Sequence, residues 1–381
     1  MLHLWSTFLS LTTDPVRSID RNRITVIRLE HMNDTNTSHN LLAFFPKDSQ
    51  LSSSEVAALT QNKQSLVTVK RQLSALFKAG YLEQSGAGRS VKYSLSKKGW
   101  LLKPLDVQAY LTQAPDDRLK NPHFQFNVFE PPYVPLFAGS ELEQLETATK
   151  KYRDNAARSD NATRKKELMR FIVEFSWKTS QIEGNTYDLI STERLLLYGE
   201  KSPTNTEFEA QMILNQKKAL EFILDNEELW EEPKISALEA LHAIVGEKLD
   251  ISRNLRKTIV GITGTNYRPL ESEFQIRDAL ELLFDAIAKS NNIYEKALWS
   301  VLGLSYIQPF VDGNKRTSRL LANAMLLAEN YAPISYRSVD DRAYKEACLV
   351  FYEQNSIEPF KKLFVEQYIF AANNYNIAGD S

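Results

Sequence analysis

The run Ile307-Gln308-Pro309-Phe310-Val311-Asp312-Gly313-Asn314-Lys315-Arg316-Thr317-Ser318-Arg319 gathers the residues of this chain best suited to chemistry. Gly313 lets backbone approach a ligand closely, and Asn314 offers a side-chain amide. Arg316 and Arg319, three apart, fall on one helix face as forked donors for polyphosphate oxygens. Asp312 is the only acid in the run. A lone carboxylate beside phosphate donors suits Mg²⁺, which takes one or two protein oxygens, phosphate oxygens and retained waters. Apolar helical repeats flank the run, so it reads as a tight turn feeding a helix, whose unpaired N–H groups and dipole hold phosphates. A capped helix start with solvated arginines uses the same residue types, and the run by itself leaves both readings open.

The same residues resemble the signature of the Fic family, whose members transfer AMP from ATP to protein hydroxyl groups. The pattern is His-Pro-Phe-x-Asp/Glu-Gly-Asn-Gly/Lys-Arg-x-x-Arg, and every position except the first matches. A second run, Thr179-Ser180-Gln181-Ile182-Glu183-Gly184-Asn185, resembles the family's inhibitory motif, Ser/Thr-x-x-x-Glu-Gly/Asn, on a helix upstream. More loosely, the resemblance extends from about Phe124 to Tyr368.

Carried onto the matching positions, the resemblance implies an ATP site of Gly313, Asn314, Lys315, Arg316 and Arg319, with Mg²⁺ on Asp312. Asn314 and the turn backbone would cradle the α-phosphate, and Arg316 would contact the outer phosphates. Glu183 would pair with Arg319 and block the productive seat of the γ-phosphate. The bland reading of Glu183 is a glutamate before a Gly-Asn helix stop. A carboxylate at a helix C-terminus is electrostatically unfavourable, so an arginine partner explains its position better. Gln308 departs from the family at the histidine that takes the proton of the target hydroxyl. Glutamine can hydrogen-bond a hydroxyl but has no titratable base, and losing a positioned base costs about 10²–10⁴ in rate. Phosphoryl-type transfer leans on positioning and charge stabilisation, which leaves room for residual activity.

The elements that must position these residues can be read outward from them. Leu168, Phe171, Ile172, Phe175, Thr179 and Ile182 form a helical stripe ending at the inhibitory motif, on a helix placed at 165–185. Tyr294, Ala297, Leu298, Val301 and Leu302 form another that ends at the signature, and Leu320, Ala324 and Leu327 continue behind the arginines. The β-branched, glycine-spaced segment Thr258 to Pro269 predicts a small hairpin. In the Fic family such a flap clamps the target by strand addition, which here implies Ile259, Val260, Gly261 and Ile262 as the clamping residues. An inert surface hairpin is the other reading.

Residues 40–103 differ in composition from the rest. Lys47, Lys63, Lys70, Arg71, Lys78, Arg89, Lys92, Lys97, Lys98 and Lys103 face only Asp48, Glu55 and Glu83, an excess typical of nucleic-acid binding. The pattern predicts a helix near Leu41, a short one capped by Ser52 or Ser53, a longer one over Ser65–Lys78, and a hairpin around Gly86-Ala87-Gly88. In the longer helix Val67, Leu73, Leu76 and Phe77 are able to face inward. The stretch resembles winged-helix DNA-binding domains, which implies Thr68, Lys70, Arg71 and Gln72 toward a major groove and Arg89 and Lys92 near phosphate. A winged helix used for protein contacts or dimerisation is the other reading.

The chain has 381 residues, 43% apolar and 25% charged, with a formal net charge of −2, as expected of a soluble globular protein with no overall preference for nucleic acid or anionic membrane. The single cysteine, Cys348, fits a reducing cytoplasm, and the resemblance to winged-helix domains fused to bacterial Fic proteins implies one of bacterial type. The five histidines, His242 among them, show no metal-ligand spacing. Met1 to Leu11 is apolar but too short to span a membrane and lacks a basic start, and Met32 is a second candidate start. The expected organisation is a mainly α protein. It comprises an extension over 1–39, a winged helix-turn-helix over 40–103, a proline-rich connector over 104–139 and a Fic-like helical domain over 140–375 with its hairpin flap. The partners expected are ATP, a protein target or the chain itself, double-stranded DNA and a second copy, with no membrane.

Overall fold

The computed structural model describes residues 38–60, 63–118 and 122–377. The expectations for residues 1–37, including the choice between Met1 and Met32, lie outside the described residues. Among the described residues the chain forms fourteen α-helices and one two-stranded sheet, so the mainly helical class expected from the sequence is the class observed.

The N-terminal part opens with a 3-10 turn at His39–Phe44, then α1 (Ser53–Leu59) and α2 (Leu66–Lys78). Both helices start where the sequence supplies an N-cap. Ser52 and Glu55 exchange side-chain and backbone hydrogen bonds in a capping box, and the Ser65 hydroxyl accepts from Thr68 N. β1 (Leu82–Ser85) pairs antiparallel with β2 (Lys92–Leu95), Leu82 opposite Leu95. Gly86 enters the connecting turn at φ +76°, where an added Cβ would lie 2.4 Å from Ser90 O.

The phase of α2 differs from the expectation. Its buried stripe is Val69, Gln72, Leu73 and Leu76, while Val67 is 78% exposed and Phe77 is exposed as well. Spacing of 3, 4 and 7 residues from Val69 sets that stripe, and Val67 falls on the opposite side. Gln72 is consequently buried, not turned toward a groove.

After α3 (Lys97–Leu101) and α4 (Val107–Leu111) comes the helical body. It consists of α5 (Gly139–Ala157), α6 (Asn161–Ile182), α7 (Leu189–Tyr198), α8 (Glu207–Leu224), α9 (Ile235–Val245), α10 (Glu273–Ala288), α11 (Ile293–Ile307), α12 (Asn314–Ala328), α13 (Asp341–Gln354) and α14 (Glu358–Asn374). α11 is the axis: every residue except Lys296 is buried. α12 packs along it, with α6, α8 and α9 on the far side of α12. Gly303 admits the close approach of neighbours, since a Cβ there would meet the Leu283 side chain at 2.3 Å. The connector is packed onto the same axis, with Phe124 stacked on Tyr306 at 4.7 Å.

One apolar cluster runs from Leu41, Trp100 and Leu101 through Ile357 to Tyr375, so the N-terminal part and the helical body share a core. Polar links cross the same seam: Ile357 N donates to Leu101 O at 2.8 Å, and Ser356 Oγ donates to Lys103 O at 2.6 Å.

Candidate functional site

α11 ends at Ile307 and α12 begins at Asn314, so residues 308–313 form the turn between the two most intimately packed helices. Gln308 closes α11 in the left-handed region, φ 52° and ψ 58°. A non-glycine residue there is held by its surroundings, at a cost of about 1–3 kcal/mol. Its N–H donates to Leu304 O at 3.1 Å, and its carbonyl accepts from Arg256 Nε at 2.6 Å. The side chain is spent as well: Nε2 donates to Ser305 O at 2.6 Å, and Oε1 accepts from Asn314 Nδ2 at 3.0 Å.

Gly313 caps α12 at φ +79°, with the His242 ring 3.3 Å from where a Cβ would sit. The first helical bond of α12 is Thr317 N to Gly313 O, so the N–H groups of Asn314, Lys315 and Arg316 have no acceptor among the described residues. Asn314 does not offer its amide to a ligand as expected. Oδ1 accepts from Phe310 N and Nδ2 donates to Phe310 O, each at 2.8 Å, and the second Nδ2 hydrogen goes to Gln308. The amide staples the turn, and the free backbone donors beside it remain for anions.

Asp312 has a side chain 64% exposed, with Oδ1 accepting from Gly313 N at 2.6 Å and Oδ2 from Arg316 Nη2 at 3.0 Å. No group of three or more His, Cys, Asp or Glu able to hold a metal occurs among the described residues. A lone accessible carboxylate fits Mg²⁺ that arrives with phosphate oxygens, not a resident protein-caged ion.

Glu183 caps the C-terminus of α6 and reaches across to α12. Its Oε1 accepts from Arg319 Nη2 at 2.8 Å, and Oε2 lies 3.7 Å from Lys315 Nζ. Burial pushes the Glu183 carboxyl up, and the charges of Arg319, Lys315 and Arg316 together outweigh it, holding the group below its ordinary range. Arg319 is completely buried and also donates to Thr179 Oγ1 at 2.7 Å and Thr179 O at 3.0 Å. It lies over the Tyr344 ring at 5.3 Å.

These elements enclose a cavity of about 520 Å³. Its walls include Gln308, Asp312 to Arg316, Glu183, and Val260 to Thr263 of the flap, together with Tyr344, Lys345 and Cys348 of α13. Arg319 is not in the wall; Glu183 stands in front of it. Of the expected site residues, the structure therefore brings together Gln308, Asp312, Gly313, Asn314, Lys315, Arg316, Glu183, Val260, Gly261 and Ile262, and it withholds Arg319. Ile259 is 71% exposed beside them. The Cys348 thiol is pushed up to about 12 by burial, which keeps it a neutral wall group.

The flap is not the hairpin expected. Residues 258–269 form no ladder with themselves, and among the described residues the only bridge in the segment joins Arg268 to His123 of the connector, in parallel. The arms are drawn apart by other partners. Arg118 Nη2 donates to Gly264 O at 2.5 Å, Tyr267 Oη to Tyr306 O at 2.7 Å, and Arg268 N to Pro122 O at 2.5 Å. The backbone of Ile259–Ile262 consequently has no hydrogen-bond partner among the described residues and runs beside the cavity.

Sequence reasoning missed two supports, His242 and Arg256. His242 stacks on Phe310, 3.5 Å between ring centroids, and its Nε2 lies 2.9 Å from Asp312 O. Burial lowers its pKa to about 4, so it is a neutral brace of the turn. Thr179, the first residue of the inhibitory motif, accepts from Arg319 through its hydroxyl and carbonyl, whereas Arg256 binds the site through carbonyls that no spacing in the chain announces. In the N-terminal part Thr68 is half-buried, while Lys70, Arg71, Arg89 and Lys92 are exposed and lack a carboxylate within ion-pair distance among the described residues. Four other cations of that basic stretch are occupied. Lys47 pairs with Asn355 and lies over Trp100, Lys97 donates to Glu130 O, Lys98 to Ala79 O and Lys103 to Phe45 O. Burial lowers Lys97 and Lys103 to about 8.

Comparison with known proteins places this geometry. The Fic/DOC family model matches residues 233–326, which cover α9 through most of α12. The chain is 26% identical over 235 residues to "Protein adenylyltransferase fic-1" of Caenorhabditis briggsae, covering 59% of this chain and 45% of that protein. It is 27% identical over 192 residues to the protein of the same name in Caenorhabditis elegans, covering 49% of this chain and 37% of that one. It thus spans less than half the length of these curated relatives. A crystal structure of a Fic domain containing signaling protein from Bacteroides thetaiotaomicron aligns with TM-score 0.52 and 21% identity, covering 60% of this chain and 95% of that one. A structure of Fic-1 from Caenorhabditis elegans aligns with TM-score 0.53 and 20% identity, covering 62% and 72%. Residues 233–326 match the Fic/DOC family model, and they lie within a helical body that has the fold of Fic structures.

Proposed function

We propose that this chain is a Fic-type protein adenylyltransferase, held back by Glu183 and slowed by Gln308. The observation that carries the reading is a single cavity bordered at once by the unpaired N–H groups of α12, the unpaired flap backbone and Glu183. The adenylyltransferase names of the relatives support the same class of reaction. ATP lies with its phosphates on Gly313, Lys315 and Arg316; Asp312 would hold Mg²⁺, which would supply charge neutralisation to the phosphates. A hydroxyl on a protein strand paired with Ile259–Ile262 then attacks the α-phosphorus. An O–P bond forms, the bond to the β-phosphate oxygen breaks, and pyrophosphate leaves. The hydroxyl proton passes to water, because Gln308 cannot take it. Glu183 keeps Arg319 from the γ-phosphate, so the nucleotide is poorly aligned until that carboxylate moves.

The acceptor is the chain itself or another protein in a reducing cytoplasm. Among the described residues no helix is long and apolar enough to cross a membrane. Mass spectrometry after incubation with ATP and Mg²⁺ tests the reading: slow addition of AMP supports it, and nucleotide binding with no added AMP even when Gln308→His is combined with Glu183→Gly counts against it.

A second reading is a winged-helix DNA-binding regulator whose Fic domain senses nucleotide. It is favoured by Lys70 and Arg71 on α2 and Arg89 and Lys92 at the β1–β2 hairpin, all exposed, although Lys92 is close enough to Glu55 to feel its charge. Sequence-selective retention of a duplex by the full chain separates this reading from transfer alone.

A further inference from the structure

Transfer requires two parts of the molecule to be held in register: the flap arm that receives a protein strand, and position 308, where the incoming hydroxyl must arrive. One side chain touches both. Arg256, only 2% exposed, donates Nε to Gln308 O at 2.6 Å, Nη1 to Thr258 O at 2.8 Å and Nη2 to Leu270 O at 2.5 Å. Its own N–H donates to Pro309 O at 2.9 Å. Thr258 and Leu270 are the two ends of the flap, and Gln308 and Pro309 open the signature turn.

The guanidinium is a rigid planar fork, so three carbonyls bound to it are fixed relative to one another, as they would not be by a flexible ammonium. No carboxylate is among its hydrogen-bond partners, and burying a cation on neutral acceptors is costly. A fold that needed only filling at this point would be served by an apolar side chain. The rest of the flap is tethered elsewhere, at the tip by Arg118 and on the return arm by Tyr267, so among the described residues Arg256 alone hydrogen-bonds both the flap base and residue 308.

We infer that Arg256 is a positioning residue that sets the distance between a protein strand laid on Ile259–Ile262 and the transfer centre at position 308. This rests on the adenylyl-transfer reading above. A displacement of about 1 Å far from the chemistry can cost on the order of 10² in rate, so loosening this bracket acts on transfer and spares nucleotide binding.

The test uses the full chain carrying Gln308→His and Glu183→Gly, with Arg256→Met and Arg256→Lys added separately. Calorimetry with ATP and Mg²⁺, labelled AMP incorporation at saturating ATP, and hydrogen exchange are read on each. Arg256→Met is expected to keep ATP affinity within about twofold, to lower incorporation by at least about tenfold, and to raise exchange only in 257–270 and 307–310. Arg256→Lys is expected to recover part of the loss, since its ammonium reaches some of the three carbonyls. Unchanged incorporation in Arg256→Met overturns the inference. So does a loss of ATP affinity in parallel with raised exchange throughout α11 and α12, the mark of a general fold support. If the background binds ATP and transfers nothing, adenylyl transfer itself fails. Exchange then still decides on Arg256: protection unchanged at either the flap or 307–310 overturns the link.

Discussion

The two ends of the signature turn are built on opposite principles. At the α11 end Gln308 is neutral, strained into the left-handed region, and has every polar atom engaged by its own neighbourhood. At the α12 end charges are plentiful but masked: Arg316 is paired with Asp312, Arg319 with Glu183, and Lys315 stands near Glu183. On the proposed reading the acceptor end lacks a base, whereas the phosphate end possesses its groups and withholds them. A missing base calls for substitution. A masked arginine calls only for the carboxylate to move.

The largest effect that sharpens this contrast is expected at the phosphate end. Arg316→Ala removes a charge-assisted contact and should weaken ATP by about 1.5–3 kcal/mol, roughly tenfold to a hundredfold. Calorimetry with Mg²⁺ present reads it, and equal affinity in parent and variant would take Arg316 out of the site. At the acceptor end, Gln308→Ala should leave ATP affinity within a few-fold, because its side chain is turned to Ser305 and Asn314.

A smaller effect is expected outside the turn. Lys70→Ala or Arg71→Ala should weaken duplex binding by the full chain and lower the salt slope by about one unit each, since each exposed cation neutralises about one phosphate. Anisotropy titrations at several salt concentrations measure this. Binding that ignores salt would assign the basic stretch to protein contacts.

The smallest effect concerns the mask. The folded pKa of Glu183 is depressed below the unfolded value near 4.5, so its contribution to stability is present above that value and lost as pH falls through the folded pKa. Thermal unfolding of the parent and Glu183→Gln should differ at pH 7 by a few degrees, on the scale of about 2–4 °C per kcal/mol, and converge in acid. A difference that grows on acidification would show that Glu183 is not the titrating partner of Arg319.

What the sequence revealed, and what it hid, follows the range of each interaction. The Ser52 cap, the helix start near Ser65, the apolar stripes of α6, α11 and α12, and the tight turn at 308–313 are local patterns, and they appear as read. Hidden were the braces whose partners lie far along the chain and are mostly backbone: His242 on Asp312 O and Arg256 on Gln308 O. A carbonyl leaves no signature in a sequence, so such pairings cannot be found by residue type. The flap was misread for a related reason. β-Branched residues favour extended backbone, but whether an arm pairs with itself or with the connector depends on Arg118, Tyr267 and Arg268. The orientation of Val67 failed because apolar character was counted without the phase of the helix it sits on.

The most direct test of the two-ended account is a double-variant cycle read by labelled AMP incorporation, with folding checked by circular dichroism. Glu183→Gly unmasks Arg319 without supplying a base, and Gln308→His supplies an imidazole to a misaligned nucleotide. In-line attack needs alignment and proton removal in one transition state, so the two changes should act more than additively. The combined variant is expected to label at least about tenfold faster than either single variant, a fraction of what a general base commonly contributes. A parent that labels as fast as the combined variant would contradict the account, because Gln308 would then not be a deficiency and Glu183 not a mask.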